Sequence, residues 1–164
     1  SGSMGGFWGD VSNPSFSLNP RVISAAMAMA TARVEEDYMF TAFTREMSEL
    51  SISPRQRLDD VIKSISRLHM GATDCAQPMV YALKNKIEID TFCVYTDNET
   101  WYGSVHPFEA LKNYRRQVNP EAKLVVIACS PTEFSIADPS DAGMLDISGF
   151  DANVPSLISE FARR

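Results

Sequence analysis

Four oxygen-bearing side chains stand where a hard cation would find them. Ser1 and Ser3 precede the first helix through a glycine-rich loop, Thr73 lies in the loop that opens a later helix, and Asp97 directly follows a strand. Hydroxyl and carboxylate oxygens drawn from separate segments suit Mg²⁺, which takes about six oxygens, keeps several waters and needs only a few protein ligands. Neither imidazole nor thiolate belongs to the set, which argues against zinc, copper or iron. An Mg²⁺ held this way can serve electrostatic recognition of an acidic group. It can also serve phosphotransfer or hydrolysis, although the sequence presents no nucleophile with a partnered base. A third reading is a structural docking domain whose metal site is vestigial.

Each of these residues has a plainer role as well. Thr73 or Asp74 can cap the next helix without any metal, and Asp97 with Glu99 can form a solvated turn. Ser1-Gly2-Ser3-Met4 has the composition of a vector-encoded tail. His69 and His106 read as structural, His106 as the residue that starts a helix before Pro107. Gly2, Gly5, Gly6 and Gly9 do not reproduce the spacing of a dinucleotide fingerprint. Lys112, Arg115 and Arg116 form a small basic patch on one helix.

The elements that must position these groups alternate between helices and strands. Pro20 opens a helix that Asn19 can cap, with Val22, Ile23, Ala26, Met27, Ala30 and Val34 on one face. Tyr38 to Thr44 has the length and flanks of a buried strand, and Met47 to Ile52 pairs beside it. Ser53 and Gln56 make a capping box for a helix striped by Leu58, Val61, Ile62, Ile65 and Leu68. A turn over residues 69–74 leads into a helix whose shared face is Ala76, Met79, Val80 and Leu83, with Pro78 tolerable only in its first turn. Ile89 to Thr96 and Lys123 to Cys129 are near-continuous apolar runs, as expected of strands covered on both faces. Between them Pro107 opens a helix with Phe108, Leu111 and Val118, ended by Asn119 and Pro120. After a loop containing residues 134–137, the chain closes on a helix with Val154, Leu157, Ile158 and Phe161. This pattern predicts an α/β fold: a doubly wound, mostly parallel sheet with helices on both faces, in one domain over residues 1–164. Ligands gather outside the carboxyl ends of such strands, where Asp97 stands.

Composition narrows the classes further. The chain has 164 residues, 45% hydrophobic and 22% charged, an ordinary globular mixture. No apolar run approaches the roughly 20 residues of a membrane span, and no basic-then-apolar leader is visible, so no membrane association is expected. Cys75, Cys93 and Cys129 are odd in number, and the last two sit in apolar runs, as reduced thiols do. A net charge of −6 offers no field to attract a phosphate backbone. A cytoplasmic or nuclear location is the expectation.

The order SGS, GATD, TDNE resembles the metal-ion-dependent adhesion site of von Willebrand A domains, which reads Asp-x-Ser-x-Ser, then Thr, then Asp. The resemblance implies that Ser1, Ser3 and Thr73 each offer a hydroxyl to Mg²⁺ and that Asp97 holds a coordinated water. The first aspartate would fall two positions before Ser1. The longer strings GATDCAQPM, FCVYTDNETWYGSVHPFEAL and FSIADPSDAGMLDISGFD are similar to the C-terminal domain of the Ro/SS-A ribonucleoprotein autoantigen family, over essentially the whole chain. That family implies a von Willebrand A-type, Rossmann-like domain closing a ring of HEAT-like repeats. The ring, absent from these residues, would bind noncoding RNA, both Y RNA and the ends of misfolded RNA, in quality control. The metal site would remain open to an acidic protein ligand. The resemblance further implies that the N-terminal central strand of the sheet is missing here. Its two neighbours would then carry unpaired backbone groups, each costing about 1–3 kcal/mol if kept from water.

Overall fold

The computed structural model describes residues 20–43, 47–67, 74–96, 103–128, 136–149 and 153–164. In chain order the elements are α1 (Pro20–Val34), β1 (Phe40–Phe43), β2 (Met47–Leu50), α2 (Leu58–Ser66), α3 (Gln77–Asn85), β3 (Thr91–Thr96), α4 (Pro107–Gln117), β4 (Lys123–Ala128), β5 (Met144–Ser148) and α5 (Val154–Arg163). The expected α/β layering is present. β3, β4 and β5 form a parallel sheet in that order, while β1 and β2 pair as a separate antiparallel ribbon.

β4 is the middle of the three-stranded sheet, and from Leu124 to Ala128 all five residues are buried, as a strand covered on both faces requires. One face of the sheet packs on α3 and α4 through Phe92, Val94, Leu124 and Val126, against Met79, Leu111 and Tyr114. The other packs on α1 and α5 through Val125, Ile127 and Ile147, against Ile23, Met27 and Val154. A third cluster joins α1 to α2 by way of Ala25, Ala28, Met29, Ile52 and Val61.

Several details differ from the expectations. β5 was not anticipated. Its five residues, MLDIS, carry a carboxylate in the middle, and both oxygens of Asp146 accept from the Ala137 N–H at 3.2 Å. The helix anticipated from Ser53 begins at Leu58. Gln56 Oε1 does accept from the Ser53 N–H at 2.8 Å, but the box closes a turn ahead of the helix instead of its first residues. α1 buries Ala25, Ala28, Met29 and Ala32 beside Ile23 and Met27 because it is enclosed by both the sheet and α2, while Val34 is exposed. In α3, Ala82 takes the buried place assigned to Val80, which is exposed. Pro20, Pro78 and Pro107 stand in first helical turns, where the missing N–H costs nothing.

Among the described residues, β1 pairs only with β2, and β3 has β4 on one side alone. The free edges of β1 and β3 border one cavity of about 960 Å³, lined by Phe40 and Phe43, by Cys93 and Tyr95, and by Met27 of α1 and Ile158 of α5. Cys93 is therefore exposed despite its apolar run.

Candidate metal centre

Because the three strands run parallel, their carboxyl ends share one rim. Thr96, Ala128 and Ser148 stand side by side in register. The Gly149 N–H donates to the Ala128 carbonyl at 2.9 Å, and its φ of 84° is a left-handed turn that glycine adopts without a Cβ penalty. Thr96 is fully buried, and the next residue in the chain is Asp97.

Two helices begin at this rim. α4 is capped by His106, whose Nδ1 accepts from the Phe108 N–H at 3.4 Å while its ring lies on that of Phe108. Burial holds the imidazole below its ordinary pKa, and Glu109 opposes that shift. The expected helix-start role of His106 is the one it has. α3 is preceded by Asp74, whose Oδ1 accepts from the Ala76 N–H at 3.0 Å and whose carbonyl accepts from Gln77. The helix-capping role weighed for Asp74 is not filled: Ala76 is the N-cap of α3, no side chain caps it, and the Asp74 bonds close a turn just ahead of the helix.

Gly103, in the β3–α4 connection, lies directly against the Asp74 carboxylate. A Cβ on Gly103 would be 2.6 Å from Oδ1 and 2.7 Å from Cγ. This contact brings the start of α3 and the β3–α4 connection to one place. Ser1, Ser3, Thr73 and Asp97 themselves lie outside the described residues. Among the described residues, no group of three or more His, Cys, Asp or Glu side chains could hold a metal ion. The donor types proposed for the site are hydroxyls and a carboxylate, and Asp74, next after Thr73 in the chain, already spends one oxygen on the Ala76 N–H. That chemistry fits a hard cation that keeps much of its water.

The basic patch on α4 has acidic partners. Lys112 Nζ lies 3.0 Å from Asp138 Oδ2, and Arg115 pairs with Asp141 while its Nε donates to the Ala122 carbonyl at 2.6 Å. Hydrogen bonds from Ser140 and Lys112 hold the Asp138 carboxyl down at about 2. Burial raises the Asp141 carboxyl, but the bonds from Arg115 and Gly143 outweigh it and leave the group below its usual range. These charges brace α4 against the β4–β5 connection. Among the described residues, no helix is long and apolar enough to cross a membrane.

Comparison with known proteins adds to this geometry. A family model described as the Ro60 vWA domain matches residues 1–162. A protein named RNA-binding protein RO60 from Deinococcus radiodurans is 42% identical over 146 residues, covering 89% of this chain and 28% of its own length. A protein of the same name from Caenorhabditis elegans is 41% identical over 145 residues, covering 88% of this chain and 23% of its own length. The crystal structure of the Deinococcus radiodurans RO (RSR) protein superimposes with a TM-score of 0.85 at 41% identity, over 98% of this chain and 32% of that one. The chain thus spans about a quarter to a third of the relatives it matches.

Proposed function

This chain belongs to the Ro60 vWA domain family, and from that premise we propose that it is the non-catalytic, Mg²⁺-dependent binding module of an RNA-binding Ro protein. Relatives at 41–42% identity are named RNA-binding proteins, which supports noncoding RNA as the partner of the whole protein; a role in RNA quality control is part of the proposal. RNA contact is assigned outside these 164 residues. The chain carries a net charge of −6, and Lys112 and Arg115 are engaged by aspartates.

The module's own work is recognition of an acidic oxygen. Ser1, Ser3 and Thr73 would offer hydroxyls and Asp97 a carboxylate, and the Mg²⁺ would supply a positive charge with an open coordination position. The observation that supports this reading is the contact of Gly103 with Asp74, which brings the start of α3 and the β3–α4 connection together at the rim where β3 ends. The helix starts at that rim supply backbone N–H dipoles that favour the carboxylates nearby. A cytoplasmic or nuclear location belongs to the same proposal.

Calorimetric titration of the full-length protein with MgCl₂ tests it. The expected result is saturable binding that Asp97→Ala abolishes, and binding unchanged by that substitution would remove Asp97 from the site. Hydrolysis of generic phosphate esters by the Mg²⁺-loaded protein, lost in Asp97→Ala, would favour a phosphotransfer or hydrolytic enzyme instead.

A further inference from the structure

We propose that the cavity between β1 and β3 takes an extended peptide segment whose end beside Thr91 carries Lys or Arg, so that the cavity selects its occupant by charge as well as by apolar shape. The fold family implies that a strand belongs in this sheet, but not what charge stands at its end. The walls are all described residues, and no metal takes part.

The edge that would receive the segment follows from the register of its neighbour. Thr91 stands opposite Lys123, and the Lys123 N–H donates to the Asp90 carbonyl at 2.8 Å. Successive residues of a strand turn their N–H and C=O groups to alternate sides. Thr91, Cys93 and Tyr95 therefore turn theirs toward the cavity, whose lining includes all three. Among the described residues no strand pairs with that edge.

Charge is distributed unevenly along the cavity. α1 runs against β3, with Thr31 hydrogen-bonded to Tyr95 and Glu35, one turn further on, acting on Cys93. The end of α1 thus lies at the end where β3 begins. Glu35 and Asp37 line the cavity there from the α1–β1 connection, and Glu88 and Asp90 line it from the residues just before β3. All four are exposed, and among the described residues no cation lies within ion-pair reach of them. Asp90 has one oxygen on the Asn119 amide at 3.1 Å and keeps the other. The only cation among the described lining residues is Arg163. At the other end the starts of α1 and α5 contribute Ser24, Pro155 and Ser156, and no charge.

An occupant ending in lysine or arginine beside Thr91 answers these carboxylates, and one ending in glutamate meets repulsion. Exposed ion pairs each change an affinity by a factor of about 1.5 to 5, so two at this mouth amount to about tenfold.

The experiment titrates the 164-residue chain with synthetic peptides that share the core Val-Thr-Val-Leu-Val-Leu and carry Lys-Lys, Ser-Ser or Glu-Glu either before or after it. At low ionic strength one placement of Lys-Lys is expected to bind about tenfold more tightly than Ser-Ser, with Glu-Glu at the same end the weakest. The gain should shrink in about 1 M NaCl, where the screening length falls to about 3 Å. Bound peptide should slow hydrogen exchange at the amides of Thr91, Cys93 and Tyr95. The combined variant Glu35→Gln, Asp37→Asn, Glu88→Gln and Asp90→Asn should bind every peptide alike. Equal binding of all flanks by the unsubstituted chain, or a preference for Lys-Lys that survives in the variant, would overturn the selection by charge. Binding that leaves β3 exchange unchanged, or no binding of any peptide, would overturn the cavity as the docking surface.

Discussion

Supplying an extended strand to the slot between β1 and β3 should convert two separate sheets into one, and the gain should depend on the strand's apolar side chains more than on its backbone. β3 offers a six-residue edge and β1 a four-residue edge, so a six-residue strand, about 20 Å long, can pair on both sides. About eight to ten backbone hydrogen bonds, each contributing about 1 kcal/mol net, amount to about 8–10 kcal/mol. Fixing six residues costs about 1–2 kcal/mol each, or about 6–12 kcal/mol. Those two contributions nearly cancel, and the balance falls to side chains entering walls made of Phe40, Phe43, Tyr95, Met27 and Ile158, at about 1.5–3 kcal/mol for each one buried. Changing two apolar residues of the strand to serine should therefore cost about 3–6 kcal/mol, which is two or more orders of magnitude in affinity. Differential scanning calorimetry and hydrogen exchange of the β3 amides would read this out on the 164-residue chain. A broad transition is expected without the strand and a sharp one, with slowed β3 exchange, when it is attached through a flexible linker. Equal responses to the apolar strand and to its serine variant, or β3 exchange unaffected by either, would refute the reasoning.

Other consequences concern the supports of the sheet. Tyr114→Phe removes a buried hydroxyl that accepts from the Ile89 N–H at 2.7 Å and donates to the Ile87 carbonyl at 2.8 Å; a loss of about 1–3 kcal/mol is expected in denaturant titration, because both backbone groups lose their partner. Arg115→Ala should cost a similar amount, about 1–3 kcal/mol, by releasing the partly buried Asp141 carboxylate and the Ala122 carbonyl, and Arg115→Lys should not restore it, since an ammonium cannot span both acceptors. His106 titrates below its ordinary 6.5 in the folded chain, so the unfolded chain takes up its proton first. Its contribution to stability is complete above that value and declines as pH falls from there toward the lowered folded value. Unfolding midpoints measured across this window should lose that component in His106→Asn, which caps α4 without titrating.

The alternation of helices and strands was legible because the buried runs of β3 and β4 and the proline-opened helices carry strong local signals. β5 lacked such a signal. Asp146 interrupts its five residues, and the gain that offsets a carboxylate there, the Ala137 N–H, comes from nine positions away in the chain. The burial of α1 departs from its sequence pattern for a related reason: a helix enclosed on two sides has no single apolar stripe, and small Ala and Met residues pack closely while Val34 is left in solvent. For the proposed metal centre, residue type and place after a strand point to Asp97 and a helix start points to Thr73, both outside the described residues. Neither pattern pointed to Gly103, because a glycine required by an approaching carboxylate looks in sequence like any other loop glycine.

The slot and the rim are neighbours along a single strand, and this links stability to binding. β3 is the outermost strand of its sheet among the described residues, and its last residue, the buried Thr96, is the point from which Asp97 departs. An edge strand paired on one side opens locally at lower free energy than a strand held on both, and a ligand carried at its tip is correctly placed only while the strand is closed. On the Mg²⁺ proposal, filling the slot would raise the fraction of molecules competent to bind the ion, and Mg²⁺ would in turn favour the filled slot by the same factor. On the same proposal, affinity for the metal would be a property of the whole sheet as much as of the oxygens that touch the ion.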